Sequence, residues 1–348
     1  MQVIETHNRI EKYVGAKVIK TTPKISIITP AYKIAEYIAE TLDSVFAQTF
    51  EDYEIIVNND GSPDTPEFER VLQPYLDKIV YLKQSNEGAA AARNVAIEHA
   101  RGDLLAFLDG DDVWQQNFLQ SQIEFLEAND LDLVYSDAIL FGGSAMDGQL
   151  FTKNAPSTGA VNFESLLDLR CNIITSGVLT KKRSVLEAGK FDADWLRAHD
   201  FALWLKMARN QTRIGYQKQV LLKYRVRPDS LSGNSMQRVE RELDSYRRVK
   251  KQFALDDAEK RIVETQLTRL GAELEIERGK SFLLNEDFAA ARTAFGKANE
   301  YRRSNRLRAI IFLIKFAPRS LLKFYRLRRP TEIDFAAEKR PTADKIAR

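Results

Sequence analysis

The sequence predicts an α/β fold, in which a mostly parallel, Rossmann-like sheet is flanked by helices and followed by an all-helical C-terminal region. Over the first two-fifths of the chain, short apolar segments rich in β-branched residues alternate with amphipathic segments, as in sheets covered on both faces. Strand-like segments are absent after Ser232, and helical periodicity continues to about Arg329. The 348 residues, 44% of them hydrophobic, suffice for a large domain with an appendage.

Each predicted strand is a short apolar run that ends in turn-forming or polar residues. The first covers residues 25–29 and is closed by Pro30, and the amphipathic segment 34–48 after it predicts a helix. The same criteria predict strands at 54–57, 79–82, 104–108, 133–136, 176–180 and 220–226, and helices at 65–76, 88–100, 113–128, 163–169, 182–188 and 201–209.

The chain divides into five predicted segments. An N-terminal extension (1–23) precedes the sheet domain (24–231), a helical region (232–300), a basic amphipathic segment (301–330) and a tail (331–348) that we predict to be disordered. Within the helical region, residues 274–298 resemble one tetratricopeptide unit, because small alanines recur where two helices would pack closely. No second copy follows at a period of about 34 residues.

The charges are unevenly distributed. The net charge is +3, but residues 301–330 hold ten basic residues and no acidic one, which leaves 42 basic against 49 acidic residues elsewhere. This balance excludes a chain that is basic throughout, and we expect no nucleic-acid partner. The single cysteine excludes an internal disulfide and a cysteine-rich zinc site. Since the three histidines are scattered, any bound metal would use carboxylates and be a hard cation such as Mg²⁺ or Mn²⁺.

The sequence predicts a cytoplasmic protein that does not span a membrane. Its N-terminus has no apolar core of signal-peptide length, and the longest apolar stretch, 309–317, is interrupted by Lys315. The basic segment allows two interpretations. It is either a surface for anionic lipid at the inner face of the cell membrane, or a helical pair that packs on the body with a solvated basic face.

Polar clusters follow three of the predicted strands, where ligands bind in open α/β sheets. Three carboxylates lie close together after one strand, at Asp109, Asp111 and Asp112. Because they repel one another, a divalent cation would stabilise them; the alternative is a solvated turn that caps the next helix. Asp60 lies in a turn sequence, or accepts a hydrogen bond from a nucleotide base. Asp200 is either a helix cap or a general base.

Taken together, the motifs closely resemble those of family-2 glycosyltransferases of the GT-A fold. The resemblance covers roughly residues 24 to 235, and it is specific because all the motifs occur in the order of that family. The motifs are Ile28-Thr29-Pro30-Ala31-Tyr32, Asn59-Asp60-Gly61-Ser62, Asn86-Glu87-Gly88, Ala92-Arg93-Asn94, Asp109-Gly110-Asp111-Asp112 and His199-Asp200.

The resemblance implies an inverting, metal-dependent transferase. It would move a sugar from a nucleotide-sugar, above all a UDP-sugar, to a saccharide or lipid-linked acceptor hydroxyl in polysaccharide or glycolipid biosynthesis. Asp200 would be the catalytic base, and Asp111 would hold Mg²⁺ or Mn²⁺ against the diphosphate. The implied nucleotide-sugar contacts are Pro30, Ala31, Tyr32, Asp60, Arg93, Asp109, Gly110 and Arg227.

The sequence departs from the family pattern at three positions. Asn59 replaces an acid before Gly61, His199 replaces the acid often found before the base, and Arg227 stands where histidine is common. The first two departures support one alternative, an inactive transferase-like adaptor that acts through its helical C-terminal region. A sugar-1-phosphate nucleotidyltransferase would need a glycine-rich loop after the first strand, where Pro30 and Tyr32 stand.

Overall fold

The computed structural model describes residues 5–7, 10–18, 22–195, 198–227 and 235–328. The chain forms two compact units, one ending at Ser230 and the other beginning at Leu231.

In the described part of the first unit, ten strands form one mixed sheet. In spatial order the strands are β1-β2-β5-β4-β3-β6-β9-β8-β10-β7. Their bounds are Glu5–His7 (β1), Ile10–Val14 (β2), Ile25–Ala31 (β3), Tyr53–Asp60 (β4), Val80–Gln84 (β5), Leu104–Phe107 (β6), Val113–Trp114 (β7), Leu133–Phe141 (β8), Val178–Lys181 (β9) and Ile214–Arg225 (β10).

Four parallel strands form the middle of this sheet. Strands β5, β4, β3 and β6 pair in parallel, and β3 carries Ile25, Ile27 and Ile28 with no exposed surface. Strands buried on both faces need such continuous apolar runs rather than alternation. The predicted α/β fold class and the mostly parallel sheet are therefore confirmed.

The strand directions decide which segments meet at one edge of the sheet. Strands β3 to β6 all end there, and β10 ends there too, with Arg225 opposite Phe141 of the parallel strand β8. Strand β9 is antiparallel to β6 and β8, so the residues before it, the 3-10 turn Thr175–Gly177, lie at the same edge. We call this the carboxyl edge.

The described residues of the first unit form seven α-helices. They bury one face against the sheet, as Ile38, Leu42 and Val45 of α1 show. Their bounds are Ile38–Phe46 (α1), Thr65–Leu72 (α2), Ala89–His99 (α3), Phe118–Ala128 (α4), Phe163–Leu167 (α5), Lys182–Glu187 (α6) and His199–Arg209 (α7).

The predicted helix at 113–128 is wrong in its first residues. Val113 and Trp114 instead form β7, which pairs antiparallel with β10. The Trp114 indole donates to the Ser176 carbonyl at 2.7 Å and stacks on Phe118, so its large apolar ring is buried at the sheet rather than on a helix. The predicted N-terminal extension also contains two strands, β1 and β2, that the sequence pattern does not predict. They belong to the sheet because β2 pairs antiparallel with β5.

Residues 235–328, the described part of the second unit, form five helices. They are Ser235–Gln252 (α8), Asp257–Leu284 (α9), Phe288–Arg302 (α10), Asn305–Phe316 (α11) and Pro318–Arg328 (α12). Their core includes Leu283, Phe295, Leu307, Ile314 and Leu322. Of the helices the structure describes, none is both long and apolar enough to cross a bilayer. The predicted disordered tail lies outside the described residues.

Candidate active site

Asp60 ends β4 at the carboxyl edge and is only 2% exposed. Its carboxylate accepts hydrogen bonds from Gln84 Nε2 at 2.9 Å, from the Glu87 amide at 2.9 Å and from the Gly88 amide at 2.8 Å. Gly88 has φ +91°, a backbone conformation that favours glycine. Asp60 thereby fixes the loop that leads into α3. A carboxylate offers about four acceptor positions, which leaves one for a ligand.

Asn59 lies on the opposite face of β4 from Asp60. Its amide donates to Thr65 Oγ1 at 2.9 Å and to Tyr81 Oη at 3.0 Å, and its oxygen accepts from the Ser62 amide. This first departure from the family pattern is therefore a buried structural contact that is separate from the Asp60 carboxylate.

The segment after β3 presents one exposed aromatic ring. Pro30 and Ala31 are the last residues of β3, and Tyr32, directly after them, is 44% exposed. Lys33 has φ +55°, and its amide donates to Ser62 Oγ at 2.7 Å. This turn ties the end of β3 to the loop after β4, and it leaves the Tyr32 ring accessible to a flat partner such as a nucleotide base.

Arg93 of α3 is almost fully buried and links Asp109 to His199. Its Nη2 donates to Asp109 Oδ1, and its Nη1 lies 2.7 Å from His199 Nε2. Its guanidinium also lies 5.5 Å from the ring centre of Phe191. Arginine carries no acceptor, so His199 Nε2 must be the acceptor and the imidazole must be neutral, with its proton on Nδ1. Burial, and then the charge of Arg93, lower the pKa of His199 in agreement.

Gly110 marks a close approach between two strand ends. A Cβ at this position would lie 2.1 Å from Ile34 Cδ1 and 3.4 Å from the Pro30 carbonyl oxygen. A side chain here would displace Ile34, which is 5% exposed. The absence of a side chain lets Asp109 and Asp111 lie beside the end of β3.

Asp111 and Asp112 are carboxylates whose negative charge is poorly stabilised. Burial, and then the neighbouring charge of Asp109, raise the pKa of Asp111; burial, and then Asp111, raise the pKa of Asp112 well above its usual range. Asp112 accepts from the Arg225 amide at 2.8 Å, and Arg227 Nε lies 3.2 Å from Asp111 Oδ2. Arg225 and Arg227 therefore bring the end of β10 to the acidic cluster.

Tyr224 shows that the acidic cluster and Asp200 share one electrostatic environment. Burial raises the pKa of the Tyr224 phenol, and the charges of Asp112, Asp109, Asp111 and Asp200 raise it further, in that order. Such interactions weaken quickly with distance. All four carboxylates therefore lie near the end of β10.

Asp200 lies in the first turn of α7, which begins at His199. Its Oδ1 accepts from the Phe201 amide at 2.8 Å, and its Oδ2 accepts from Thr175 Oγ1 at 3.3 Å. The helix therefore begins earlier than the predicted 201. Asp200 keeps one oxygen that only the Thr175 hydroxyl contacts among the described residues, which leaves acceptor capacity for an incoming hydroxyl proton.

Sequence reasoning missed the turn Thr175–Gly177 as part of the site. Ser176 Oγ accepts from the Asp109 amide at 3.1 Å, while Thr175 donates to Asp200. One turn thus positions both Asp109 and Asp200. The sequence pattern predicts a strand from residue 176, whereas β9 begins at Val178 and Ser176 belongs to the turn. The sequence signal is the hydroxyl pair Thr175-Ser176, which becomes informative once β9 is known to be antiparallel.

The donor set suits a hard cation held with few protein ligands. Among the described residues, no group of three or more His, Cys, Asp or Glu side chains converges on one point. The acids are nevertheless incompletely satisfied, because Asp112 Oδ2 is buried without a hydrogen-bond partner among the described residues, and burial and then the charge of Asp109 raise the pKa of Asp111. Mg²⁺ and Mn²⁺ commonly use one or two carboxylates and take their other ligands from water and substrate phosphate. The residues present therefore fit such an ion.

Sequence comparisons connect this site to a known family. A model described as glycosyl transferase family 2 matches residues 26–170. TuaG of Bacillus subtilis, a putative teichuronic acid biosynthesis glycosyltransferase, is 30% identical over 235 residues, 66% of this chain and 89% of that protein. WfgD of Escherichia coli, a UDP-Glc:alpha-D-GlcNAc-diphosphoundecaprenol beta-1,3-glucosyltransferase, is 29% identical over 63% of this chain and 84% of that protein.

Other matches are longer proteins or only structural likenesses. An uncharacterized glycosyltransferase of Rickettsia felis is 33% identical over 210 residues, and this chain covers 34% of its length. S. aureus TarS 1–349 in complex with UDP has a TM-score of 0.55 at 20% identity, over 90% of each chain. The mannosyltransferase PcManGT of Pyrobaculum calidifontis, in complex with GDP-Man and Mn2+, has a TM-score of 0.58 at 18% identity, over 93% of this chain and 89% of its own.

The structural likenesses show the GT-A fold, and the sequence relatives show the family. The family model covers the motifs from Ile28 to Asp112 but ends before His199-Asp200, and TuaG is 30% identical with 89% of its length covered. The chain is therefore a glycosyltransferase that belongs to glycosyl transferase family 2, with a GT-A sheet domain and a helical C-terminal region.

Proposed function

We propose that this enzyme transfers a sugar from a UDP-sugar to a hydroxyl of a lipid-linked saccharide, with inversion at the anomeric carbon. The observation that carries the proposal is the turn Thr175–Gly177, in which Ser176 accepts from the Asp109 amide and Thr175 donates to Asp200, so that both acids lie together at the carboxyl edge. Arg93 and Arg227 supply fixed positive charge beside Asp109 and Asp111. A nucleoside diphosphate requires such a combination of cations for its phosphates and acceptors for its ribose and base.

The donor would be held by residues on both sides of the carboxyl edge. Tyr32 would cover the base, and Asp60 would accept from a base N–H with its remaining acceptor position. Asp109 is fixed by Arg93 and by the hydrogen bond that its backbone amide donates to Ser176 Oγ. Its carboxylate would accept hydrogen bonds from the ribose hydroxyls. Gly110, packed closely against Ile34, would keep the acids on either side of it near the end of β3, where the diphosphate would bind. Arg227 would contribute a permanent charge to the diphosphate.

Asp200 would act as the general base of a single displacement. It would take the proton of the acceptor hydroxyl as that oxygen attacks the anomeric carbon and the nucleoside diphosphate leaves. Thr175 holds the carboxylate in place at 3.3 Å. One base acting on the acceptor from the side opposite the leaving group produces inversion, and such a base contributes about 10²–10⁴-fold to rate.

A divalent cation, Mg²⁺ or Mn²⁺, would be held by Asp111. When bound, it would stabilise the negative charge of the departing diphosphate. PcManGT, whose structure is in complex with GDP-Man and Mn2+, supports this assignment. In the arrangement described here Arg227 pairs with Asp111, and Arg227 would then share its charge with the diphosphate.

The relatives support the choice of donor and acceptor. WfgD is named for a UDP-Glc donor and a diphosphoundecaprenol acceptor, and TarS is named in complex with UDP. By extension, this enzyme would act on an acceptor carried by a membrane lipid, at the cytoplasmic face of the cell membrane and in polysaccharide or glycolipid assembly.

A donor panel tests the proposal. The purified chain would be mixed with UDP-Glc, UDP-GlcNAc, UDP-Gal or GDP-Man, with Mn²⁺ and a diphosphoundecaprenol-linked saccharide, and the released nucleotide and product would be measured. We expect UDP release that depends on the acceptor, with a β-linked product from an α-linked donor. Release from GDP-Man alone, or an α-linked product, would contradict the proposal.

Two substitutions separate the two acidic roles. Asp111→Ala should abolish the Mn²⁺-dependent part of UDP binding in calorimetry, because the cation loses its protein ligand. Asp200→Asn should retain UDP binding and lower transfer by about 10²–10⁴-fold, because the base is lost. Asp52→Ala, an exposed acid before β4 at the other edge of the sheet, is the matched control and should change neither. Near-normal transfer by Asp200→Asn would remove it from the mechanism.

A further inference from the structure

Helix α11 exposes apolar side chains on the face opposite its packed face. Leu307 and Ile314 are buried in the core of the second unit. At about 100° per residue, Phe312 and Phe316 lie on the other side of the helix. They are 60% and 63% exposed, and their ring centres are 4.6 Å apart. A surface helix normally has one apolar stripe, and this helix has two.

Helix α12 repeats the pattern. Leu322 is 4% exposed and contributes to the same core, whereas Leu327 is 74% and Phe324 53% exposed on the opposite face. We call the exposed side chains of Phe312, Leu313, Phe316, Phe324 and Leu327 the outer face of α11–α12.

Exposed cations flank the outer face. Lys315 Nζ lies 5.1 Å from the Phe316 ring centre, and Arg319 and Lys323 are exposed on α12. Within the described residues, none of these three cations pairs with a carboxylate. Residues 301–330 contain no acid, and although Arg326 of α12 pairs with Glu286 of the preceding segment, Lys315, Arg319 and Lys323 keep their charges without a carboxylate partner in the described part of the chain.

We propose that the outer face of α11–α12 binds the surface of an anionic lipid bilayer, with both helices lying in the plane of the interface. Phenylalanine and leucine side chains enter the boundary between headgroups and acyl chains, and the flanking cations contact anionic headgroups. The charge argues against a second copy of this chain as the occupant, because two such faces would bring cations together without any acid.

This inference rests on the proposed function for its purpose, since a lipid-linked acceptor lies in the same bilayer. Held at that surface, the enzyme would meet its acceptor in two dimensions rather than three. Binding to lipid is nevertheless a property of the second unit, and it is measured without any sugar transfer.

The test is flotation of the full chain with vesicles of phosphatidylcholine alone and of equal parts phosphatidylcholine and phosphatidylglycerol. We expect binding to the anionic vesicles only. The triple change Lys315→Gln, Arg319→Gln, Lys323→Gln should lower the partition coefficient by about fivefold per residue, roughly 100-fold in all. The exposed apolar pair Phe312→Ser, Phe316→Ser should lower it by about tenfold or more.

The matched control is the triple change Lys218→Gln, Arg247→Gln, Lys251→Gln, which alters the net charge equally at exposed sites elsewhere. It should bind as the unmodified chain does. Equal loss in the control, no binding to anionic vesicles, or a concentration-dependent dimer that Phe312→Ser, Phe316→Ser abolishes would each overturn the proposal. Vesicle binding without transfer in the donor panel would instead count against the proposed function alone.

Discussion

At the residue scale, Arg93 connects Asp109 to α7, the helix that carries the proposed base. It donates to Asp109 on one side and to neutral His199 on the other, and His199 directly precedes Asp200. An acid in place of His199 would also accept from Arg93, but it would add a negative charge beside Asp200. His199 therefore keeps the hydrogen bond from Arg93 without adding that charge. Asn59 is a buried structural contact, so neither of these departures from the family pattern supports the adaptor alternative.

The neutral state of His199 predicts a pH dependence of stability. Its pKa is lowered in the folded protein, first by burial and then by Arg93, against the opposing charges of Asp200 and Asp109. In the window between that lowered pKa and the unfolded value near 6.5, the unfolded chain binds more protons, so stability rises with pH. We expect the free energy of unfolding to be fully maintained above this window and to fall as the pH falls through it.

Denaturant unfolding at a series of pH values measures this contribution. His199→Gln, which keeps a neutral acceptor for Arg93, should remove the part of the slope that His199 causes. His99→Gln is the matched control, since His99 ends α3 with its Nδ1 2.9 Å from the Val95 carbonyl oxygen, apart from the Arg93 contacts. If the free energy of unfolding of His199→Gln depends on pH as steeply as that of the unmodified chain, the pKa of His199 is not lower in the folded state than in the unfolded state.

At the element scale, local sequence pattern was sufficient for the central strands and insufficient where long-range pairing decides. The apolar run around Ile27 and Ile28 could only be a buried strand, and it is one. Trp114 follows the acids in what reads as a helix start, yet it belongs to β7 because β10 pairs with it. The role of Thr175 depends on the direction of β9, and no local pattern contains that information.

The close packing of α9 on α10 depends on the absence of a side chain at Gly279. A Cβ there would lie 2.9 Å from the Phe295 ring, which is 3% exposed, whereas a Cβ at Gly271 of the same helix meets nothing within 4 Å. Gly271→Ala should therefore stabilise by about 0.5–1 kcal/mol through helix propensity. In Gly279→Ala, overpacking that costs about 1–3 kcal/mol should cancel or exceed the same gain.

Chemical denaturation of the two variants checks this difference. The substitution is identical and lies in one helix, so the difference between their free energies of unfolding isolates the contact with Phe295. We expect Gly279→Ala to be less stable than Gly271→Ala by about 1–3 kcal/mol. Equal stabilities would mean that α10 shifts at little cost, and that the close approach of the two helices is not enforced by the ring.

At the scale of the whole molecule, the two units have separate hydrophobic cores. One core surrounds the sheet, with Ile27, Leu42 and Phe68 buried within it, and the other joins Phe295 to Ile314 in the helical unit. The charge also differs between the units, because residues 1–230 hold 25 basic against 32 acidic residues, whereas residues 231–348 hold 27 basic against 17 acidic residues. The proposed chemistry lies in the first unit and the proposed lipid surface in the second, and the predicted boundary near residue 231 would separate them.

Because each unit has its own core, a chain of residues 1–230 should fold and bind UDP without the helical unit. We expect its thermal midpoint to lie within about 5 °C of the first-unit transition in the full chain. Its affinity for UDP, measured by calorimetry, should be retained. Its binding to anionic vesicles should be lost. A chain that ends at residue 222 is the control: it lacks Tyr224, Arg225 and Arg227, so it should lose UDP binding because the end of β10 no longer reaches the acidic cluster. If residues 1–230 aggregate or unfold well below the full-chain transition, the sheet core alone is insufficient, and the helical unit must supply stability to the catalytic unit in addition to its proposed role at the lipid surface.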